Sequence, residues 1–217
     1  MKNNCVQKVV KEVWKLANDS VVRKVVKQRM QDFQVTRSEK SHRWFEELVF
    51  CILTANSSAE VGLKCLKALK EKDYIFHGPK DVVRKTLEEV GHRFAVRRAE
   101  YIVLARKGSK ELKENVSRIG NSTAAREWLV KNFKGIGWKE GSHFLRNVGF
   151  LDLAILDRHI LRVMSEYGLI KEEARSLSKK KYLEYENILR KVSSELKMPL
   201  GELDLYLWYM RKGVVMK

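Results

Sequence analysis

The sequence predicts an all-α protein, and three observations predict it. Apolar residues recur at i, i+3, i+4 and i+7 through most of the 217 residues, the spacing of one helical face rather than the alternation of a strand. Only two prolines occur, Pro79 and Pro199, each where a helix would begin, and Lys, Glu, Leu and Val are plentiful. No internal repeat, low-complexity tract or strand pattern competes.

Taken in order, Val6, Val9, Val10, Val13, Trp14 and Ala17 share one face, and Val21, Val22, Val25, Val26, Met30 and Phe33 repeat the pattern, which predicts two core-packing helices. Arg37 to Lys40 reads as a linker and Ser41 as the cap of a helix buried on most sides, carrying Trp44, Phe45, Leu48, Val49, Ile52 and Leu53. Ser57 with Glu60 has capping-box spacing for a helix through Leu69. Gly78-Pro79 opens another, with Val82, Val83 and Leu87 inward, and Gly91 ends it. Arg93, Arg97 and Arg98 crowd the start of a helix burying Tyr101, Ile102 and Leu104. A short helix runs from Lys110 to Ile119, and Asn121 or Ser122 caps the next. Past Asp157 a helix runs to Tyr167 and stops at Gly168; a long one spans roughly Lys179 to Leu196, with Tyr182, Tyr185, Ile188 and Leu189 on one face. Pro199 begins the last, and Gly213 stops it before a four-residue tail.

The most informative stretch is Trp128 to Met164. An amphipathic run ends at Lys134, Gly135-Ile136-Gly137 makes a tight turn, Lys139 opens a second helix and Asp157 stands where a third begins. Two glycines around one apolar residue let backbone N–H groups point outward at a helix N-terminus, a nest suited to phosphate, with no side chain to hold DNA away. The same turn also serves as a plain helix junction with Ile136 plugged into the core.

Composition narrows the partners. Against 44 Lys and Arg stand 27 Asp and Glu, a formal charge of +17, which calls for an anionic polymer. Nucleic acid fits better than an anionic membrane, because no apolar run approaches about 18 residues and no signal-peptide pattern opens the chain. Cys5, Cys51 and Cys65 are too scattered for a disulfide framework or zinc spacing, and Cys51 and Cys65 sit at core positions. A cytoplasmic, nucleoid-associated protein without metal or other cofactor is expected.

Gly-Ile-Gly-Trp-Lys, with Asp157 eighteen residues beyond Lys139 in LDRHILRV, resembles the helix-hairpin-helix DNA glycosylase superfamily, from about Trp44 onward. Specifically it is similar to the bifunctional members, in which a lysine in this place is the nucleophile and an aspartate assists it. LDLYLWYMRKG and a short tail ending in lysine look like the type 2 (archaeal and thermophile-type) 8-oxoguanine DNA glycosylase/AP lyases, and the chain lacks room for the β-domain of the eukaryotic-type enzymes. The resemblance implies two helical lobes, 45–151 and 1–44 with 152–217, with the active site in the cleft between them. It implies a monomer acting on double-stranded DNA containing 8-oxoguanine, through a lysine Schiff base and β-elimination. It also gives roles to Asn56, in a segment similar to the one that fills the hole left by a flipped nucleotide, and to Arg93 and Phe94, in a segment similar to the family's GxRxxKAxxI.

Each of these residues has a plainer reading. Lys139 can be a surface lysine, Asp157 an N-cap, Asn56 a turn residue, Arg93 part of a solvated basic face, Phe94 and Trp208 core aromatics, Asp204 the cap of a buried contact, and Lys217 a frayed terminus. Read functionally, Lys139 must lose its proton, from an ordinary pKa of about 10.4, before it attacks the sugar C1′. Desolvation, the helix start and a neighbouring cation such as Lys134 would help. Asp157 would stabilise positive charge on the sugar or accept the lysine proton; His159 reads as structural. Trp208 and Phe94 would wall a pocket for a flipped purine and Asp204 would bond its edge. The terminal carboxylate and Lys217 would meet the N7–H donor that 8-oxoguanine has and guanine lacks. Two other functions fit parts of the pattern. An oxidised-pyrimidine lyase like endonuclease III shares the hairpin, Lys and Asp but normally carries a four-cysteine iron-sulfur cluster, which cannot form where the C-terminal third has no cysteine. A non-catalytic helix-hairpin-helix DNA-binding module would not need Lys139 and Asp157 together.

Overall fold

The computed structural model describes residues 2–171 and 176–215, and among them every regular element is helical. The helices are α1 Lys2–Asn18, α2 Ser20–Ser38, α3 Ser41–Thr54, α4 Ala59–Glu71, α5 Lys80–Glu89, α6 Ala95–Ala105, α7 Leu112–Ile119, α8 Ser122–Asn132, α9 Trp138–Asn147, α10 Arg158–Glu166, α11 Lys179–Leu196 and α12 Leu200–Lys212, with a 3-10 turn at Arg106–Gly108. None of them is long and apolar enough to cross a membrane. The chain divides into two compact units, Met1–Gln34 with Gly149–Lys217 and Val35–Val148. The divisions thus fall at 34/35, inside α2, and at 148/149, against 44/45 and 151/152 from the sequence.

In the unit of residues 35–148, α3 is the axis. Every residue from Trp44 to Thr54 is buried, and α4, α6, α7 and α9 pack around it. Trp44 donates its indole N–H to the Thr36 carbonyl at 2.9 Å, and Phe144 of α9 meets the Trp44 ring edge-on at 6.1 Å between centroids. Two carboxylates, Glu46 and Glu47, are buried beside this apolar column and are tolerated because each is paired. Arg43 reaches Glu46 at 3.0 Å and Glu47 at 2.7 Å, Lys70 reaches Glu46 at 2.8 Å, and the Asn147 amide donates to Glu47 at 3.0 Å. These bonds tie α3 to α4 and to the end of α9.

Two caps lie one residue from where the sequence placed them. Ser41 is the first helical residue, not the cap, because its hydroxyl donates to the Ser109 carbonyl at 2.8 Å. Ser58, not Ser57, caps α4 by accepting from the Val61 N–H at 3.2 Å. The linker expected at Arg37–Lys40 is shorter, since α2 continues through Ser38.

In the unit of residues 1–34 and 149–217, α1 packs on α11 and α12, and α10 on α12. Of the described apolar residues, only Val6, Val9 and Val13 of α1 and Val22, Val26 and Phe33 of α2 are buried; Trp14, at 61% exposed, and Val21 and Val25 face solvent. An a/d-width stripe suffices for a helix with one neighbouring face, so the wider apolar face read from the sequence is only partly used. The irregular segment before α10 is pinned to α11. Glu186 accepts from the Ala154 N–H at 3.0 Å, and the Tyr182 hydroxyl donates to the Ala154 carbonyl at 2.8 Å while accepting from the Leu156 N–H at 3.2 Å. Leu153 to Leu156 are buried, so this segment delivers Asp157 to the head of α10 in a fixed register.

Phe144 is fully buried and holds the helix that carries Lys139. Phe144→Ala should destabilise this unit by about 3–5 kcal/mol, read from denaturant unfolding followed by tryptophan fluorescence.

Candidate active site

The hairpin is built from α8 and α9. Of the two cap candidates it is Asn121 whose side chain accepts from the Ala124 N–H at 2.9 Å to start α8. After α8 the chain turns at Gly135, whose φ of +86° lies in the left-handed region and where a Cβ would stand 2.5 Å from Tyr101 Cδ2. Ile136 is then buried under the turn and Gly137 takes the N-cap place of α9 in extended backbone. Arg126 of α8, wholly buried, lays its guanidinium 4.4 Å from the Trp138 ring centre and donates to the Ser142 hydroxyl at 3.0 Å. Ser142 in turn donates to the Trp138 carbonyl at 3.1 Å. The first turn of α9 is therefore clamped from below.

Lys139 is the second residue of α9, with its side chain 24% exposed, and its Nζ lies 3.0 Å from Glu140 Oε1. The other oxygen, Oε2, accepts from the Gly137 N–H at 3.2 Å. Glu140 was not singled out from the sequence, yet a signal existed: it stands three residues after the N-cap glycine, the spacing of the back-reaching carboxylate in a capping box. The partner of the Lys139 amine among the described residues is thus the Glu140 carboxylate.

Glu140 also lines a pocket of about 410 Å³ with Asn56, Phe94, Arg98, Tyr101 and the Gly135–Gly137 turn. The structure so gathers the Asn56, Phe94 and hairpin candidates in one place. Asn56 is exposed at a φ of +56°, which Asn tolerates better than most residues, and its carbonyl accepts from Arg93 at 3.2 Å. Arg93 in turn stacks over Phe94 at 4.5 Å. Phe94 is half-buried and so is neither a closed core residue nor a free one. Behind them Arg98 is buried and donates to the Ala55 carbonyl at 2.5 Å. Burial lowers its pKa from the usual guanidinium value, while the Glu140 carboxylate pulls the other way. Tyr101 is half-buried and Leu104 exposed, so of the three apolar residues expected inside this helix only Ile102 is fully in the core.

In the other unit Asp157 is an N-cap: its Oδ1 accepts from the His159 and Ile160 N–H groups at 2.8 and 2.9 Å. One oxygen satisfies the helix end, and Oδ2 receives no hydrogen bond among the described residues. His159 meets Trp208 of α12 edge-on, with centroids 4.9 Å apart. Trp208 is half-buried, and its indole N–H is shielded from solvent with no acceptor among the described residues. Asp204, one turn earlier on α12, is buried. Lys217 lies outside the described residues.

An all-helical chain with a glycine hairpin, a lysine at the head of its second helix and an aspartate capping the next has the architecture of a helix-hairpin-helix DNA glycosylase. The fold alone is shared with the 3-methyladenine DNA glycosylase of Helicobacter pylori, 17% identical with a TM-score of 0.52. Residues 26–198 match the family Ogg-HhH, 8-oxoguanine DNA glycosylase, and the chain belongs to that family. It is 47% identical over 209 residues to the 8-oxoguanine DNA glycosylase/AP lyase of Methanocaldococcus jannaschii, covering 96% of this chain and 99% of that protein. The crystal structure of the Methanocaldococcus jannaschii glycosylase/lyase in complex with a 15mer DNA containing 8-oxoguanine matches with a TM-score of 0.92 at 45% identity, over 97% of this chain and 100% of that one. The 8-oxoguanine DNA glycosylase of Thermotoga maritima matches at 0.89 and 44%, over 98% and 100%.

Two outcomes are expected. Gly135→Ala imposes both a disfavoured φ and a clash with Tyr101, and should lower the melting temperature and weaken binding to damaged and undamaged duplexes alike, as read by calorimetry and by fluorescence anisotropy. His159 has its pKa lowered from 6.5, first by burial, then by Lys212, Arg158 and Arg211, against the opposing pull of Asp157. A depressed folded-state pKa gives stability that is complete above the unfolded value of 6.5 and is lost as pH falls through the folded value. Melting temperature should accordingly drop below that pH, and less steeply in His159→Phe.

Proposed function

We propose that this chain is a bifunctional DNA glycosylase and AP lyase that excises 8-oxoguanine from double-stranded DNA, acting as a monomer on the nucleoid in the cytoplasm. The observation that carries the reading is Lys139, half-buried in the first turn of α9 directly after the hairpin, in a chain whose near-full-length relative is a glycosylase/lyase. Lys139 Nζ, as the free amine, attacks C1′ of the damaged nucleotide. The C1′–N9 bond breaks with its electron pair on the departing base, which takes up a proton. Asp157 supplies negative charge as the sugar turns cationic, and its Oδ1, already fixed by two backbone N–H groups, needs no reorganisation to do so. The sugar ring then opens to a Schiff base on Nζ, which acidifies C2′ and leads to strand cleavage on the 3′ side.

Around that chemistry the remaining roles follow from what each residue offers. The Gly135-Ile136-Gly137 turn supports a DNA phosphate through its backbone. Asn56 and Arg93, linked to each other, meet the duplex where the damaged nucleotide leaves it. Phe94 and Trp208 offer aromatic faces to the extruded purine, and Asp204 and the terminal Lys217 take its polar edge. The indole N–H of Trp208, without an acceptor among the described residues, supports this reading, because a buried orphan donor costs about 1–3 kcal/mol and such costs collect at functional sites.

Lys139→Gln should abolish the borohydride-trapped adduct on an 8-oxoguanine duplex while leaving duplex binding largely intact, and Asp157→Asn should slow single-turnover base release by about 10²-fold. Persistent trapping by the first variant would remove Lys139 from the mechanism. Efficient trapping on a thymine glycol duplex and none on 8-oxoguanine would point to an oxidised-pyrimidine enzyme instead.

A further inference from the structure

The pairing of Lys139 with Glu140 is unusual for a helix. Consecutive residues project in different directions and do not ordinarily meet. They meet here because Glu140 bends back to the N-cap, where Oε2 accepts from the Gly137 N–H at 3.2 Å, and so turns Oε1 onto Lys139 Nζ at 3.0 Å. A cap needs only one carboxylate oxygen. The second is held, with the side chain 14% exposed, against the one nitrogen that the proposed reaction converts to a Schiff base.

We infer that Glu140 is the general base of the strand-cleavage step. The inference rests on the reading of Lys139 as the nucleophile. In the Schiff base, C2′ is two bonds beyond Nζ, roughly 2.5 Å away by ordinary C–N and C–C lengths, so a carboxylate oxygen in contact with Nζ is within reach of a C2′ hydrogen. Glu140 Oε1 takes that proton; the C2′–H pair becomes the C1′=C2′ bond of an enamine and the iminium pair returns to Nζ. The enamine then reforms C1′=Nζ, the C2′=C3′ bond forms, and the C3′–O3′ bond breaks with its pair on the departing phosphate. The proton on Glu140 passes to solvent, and no further reactant is needed. Throughout, the Gly137 N–H holds the other oxygen, so the base stays in place while the amine beside it changes from ammonium to iminium to enamine. The carboxylate thereby serves two steps, pairing the ammonium in the free enzyme and deprotonating the sugar in the intermediate.

Glu140→Gln separates this role from capping, because a glutamine amide oxygen still accepts from the N-cap N–H but is not a base; an unchanged melting temperature verifies the cap. On a ready-made abasic duplex the variant should cleave the strand at least about 10-fold more slowly while still giving the borohydride-trapped adduct. On an 8-oxoguanine duplex the ratio of strand cleavage to base release should fall by the same factor. The acidic limb of the cleavage pH profile should disappear in Glu140→Gln and persist in Glu140→Asp. A normal cleavage-to-release ratio with a normal pH profile would reduce Glu140 to a cap and overturn the inference. Loss of trapping in Glu140→Gln would overturn it too, by placing Glu140 before the Schiff base. Failure of the underlying reading shows elsewhere, as trapping that survives Lys139→Gln.

Discussion

Gly135 is fixed by two independent demands, and the position of Lys139 depends on it. Its left-handed φ excludes most side chains, and the packing of Tyr101 against its α-carbon leaves no room for a methyl group in any case. With the turn so tight, Ile136 drops into the core and α9 starts three residues later, one residue ahead of Lys139. A looser turn would displace the Gly137 N–H that holds Glu140 Oε2, and with it the carboxylate oxygen now turned onto Lys139. The glycines thus act less as flexible joints than as places where two pieces of backbone and an aromatic ring approach as closely as they can.

The walls of this site are held by buried polar groups rather than by apolar packing alone. Arg126 sits wholly inside, stacked on Trp138 and bonded to Ser142, and Arg98 spans from α6 to the Ala55 carbonyl behind the pocket. A buried guanidinium is expensive to desolvate, but its planar fork with several donors fixes orientation in a way that a branched aliphatic side chain cannot. The same logic applies around Glu46 and Glu47, where Arg43, Lys70 and Asn147 neutralise two buried carboxylates and join three helices at once. Specific geometry around the hairpin is obtained at a cost in desolvation.

Surface charge has a separate job. Most of the ion pairs between exposed groups are i,i+3 or i,i+4 neighbours such as Lys64 with Glu60 and Lys181 with Glu184, which water screens so that each adds little to stability. They use cations and anions one for one and leave the excess of +17 untouched. That excess suits a protein that must approach a polyanion before any specific contact forms.

Much of this was legible in the linear sequence. Helical periodicity, the scarcity of proline and the glycine turn determined the all-helical class, the order of the helices and the places of Lys139 and Asp157 at helix starts, because each of these depends on residues within a few positions of one another. The tertiary structure alone decided which apolar face is covered, and so why Val9 and Val13 are buried while Trp14 is not: a single α-helix carries no record of how many neighbours it has. It decided which serine caps, because Ser41 is drawn away by the carbonyl of Ser109, distant in sequence. It also decided that the carboxylate beside the lysine should bend back upon it, since the direction of Glu140 is set by a turn held against Tyr101 and by an arginine under Trp138, contacts that no local pattern encodes.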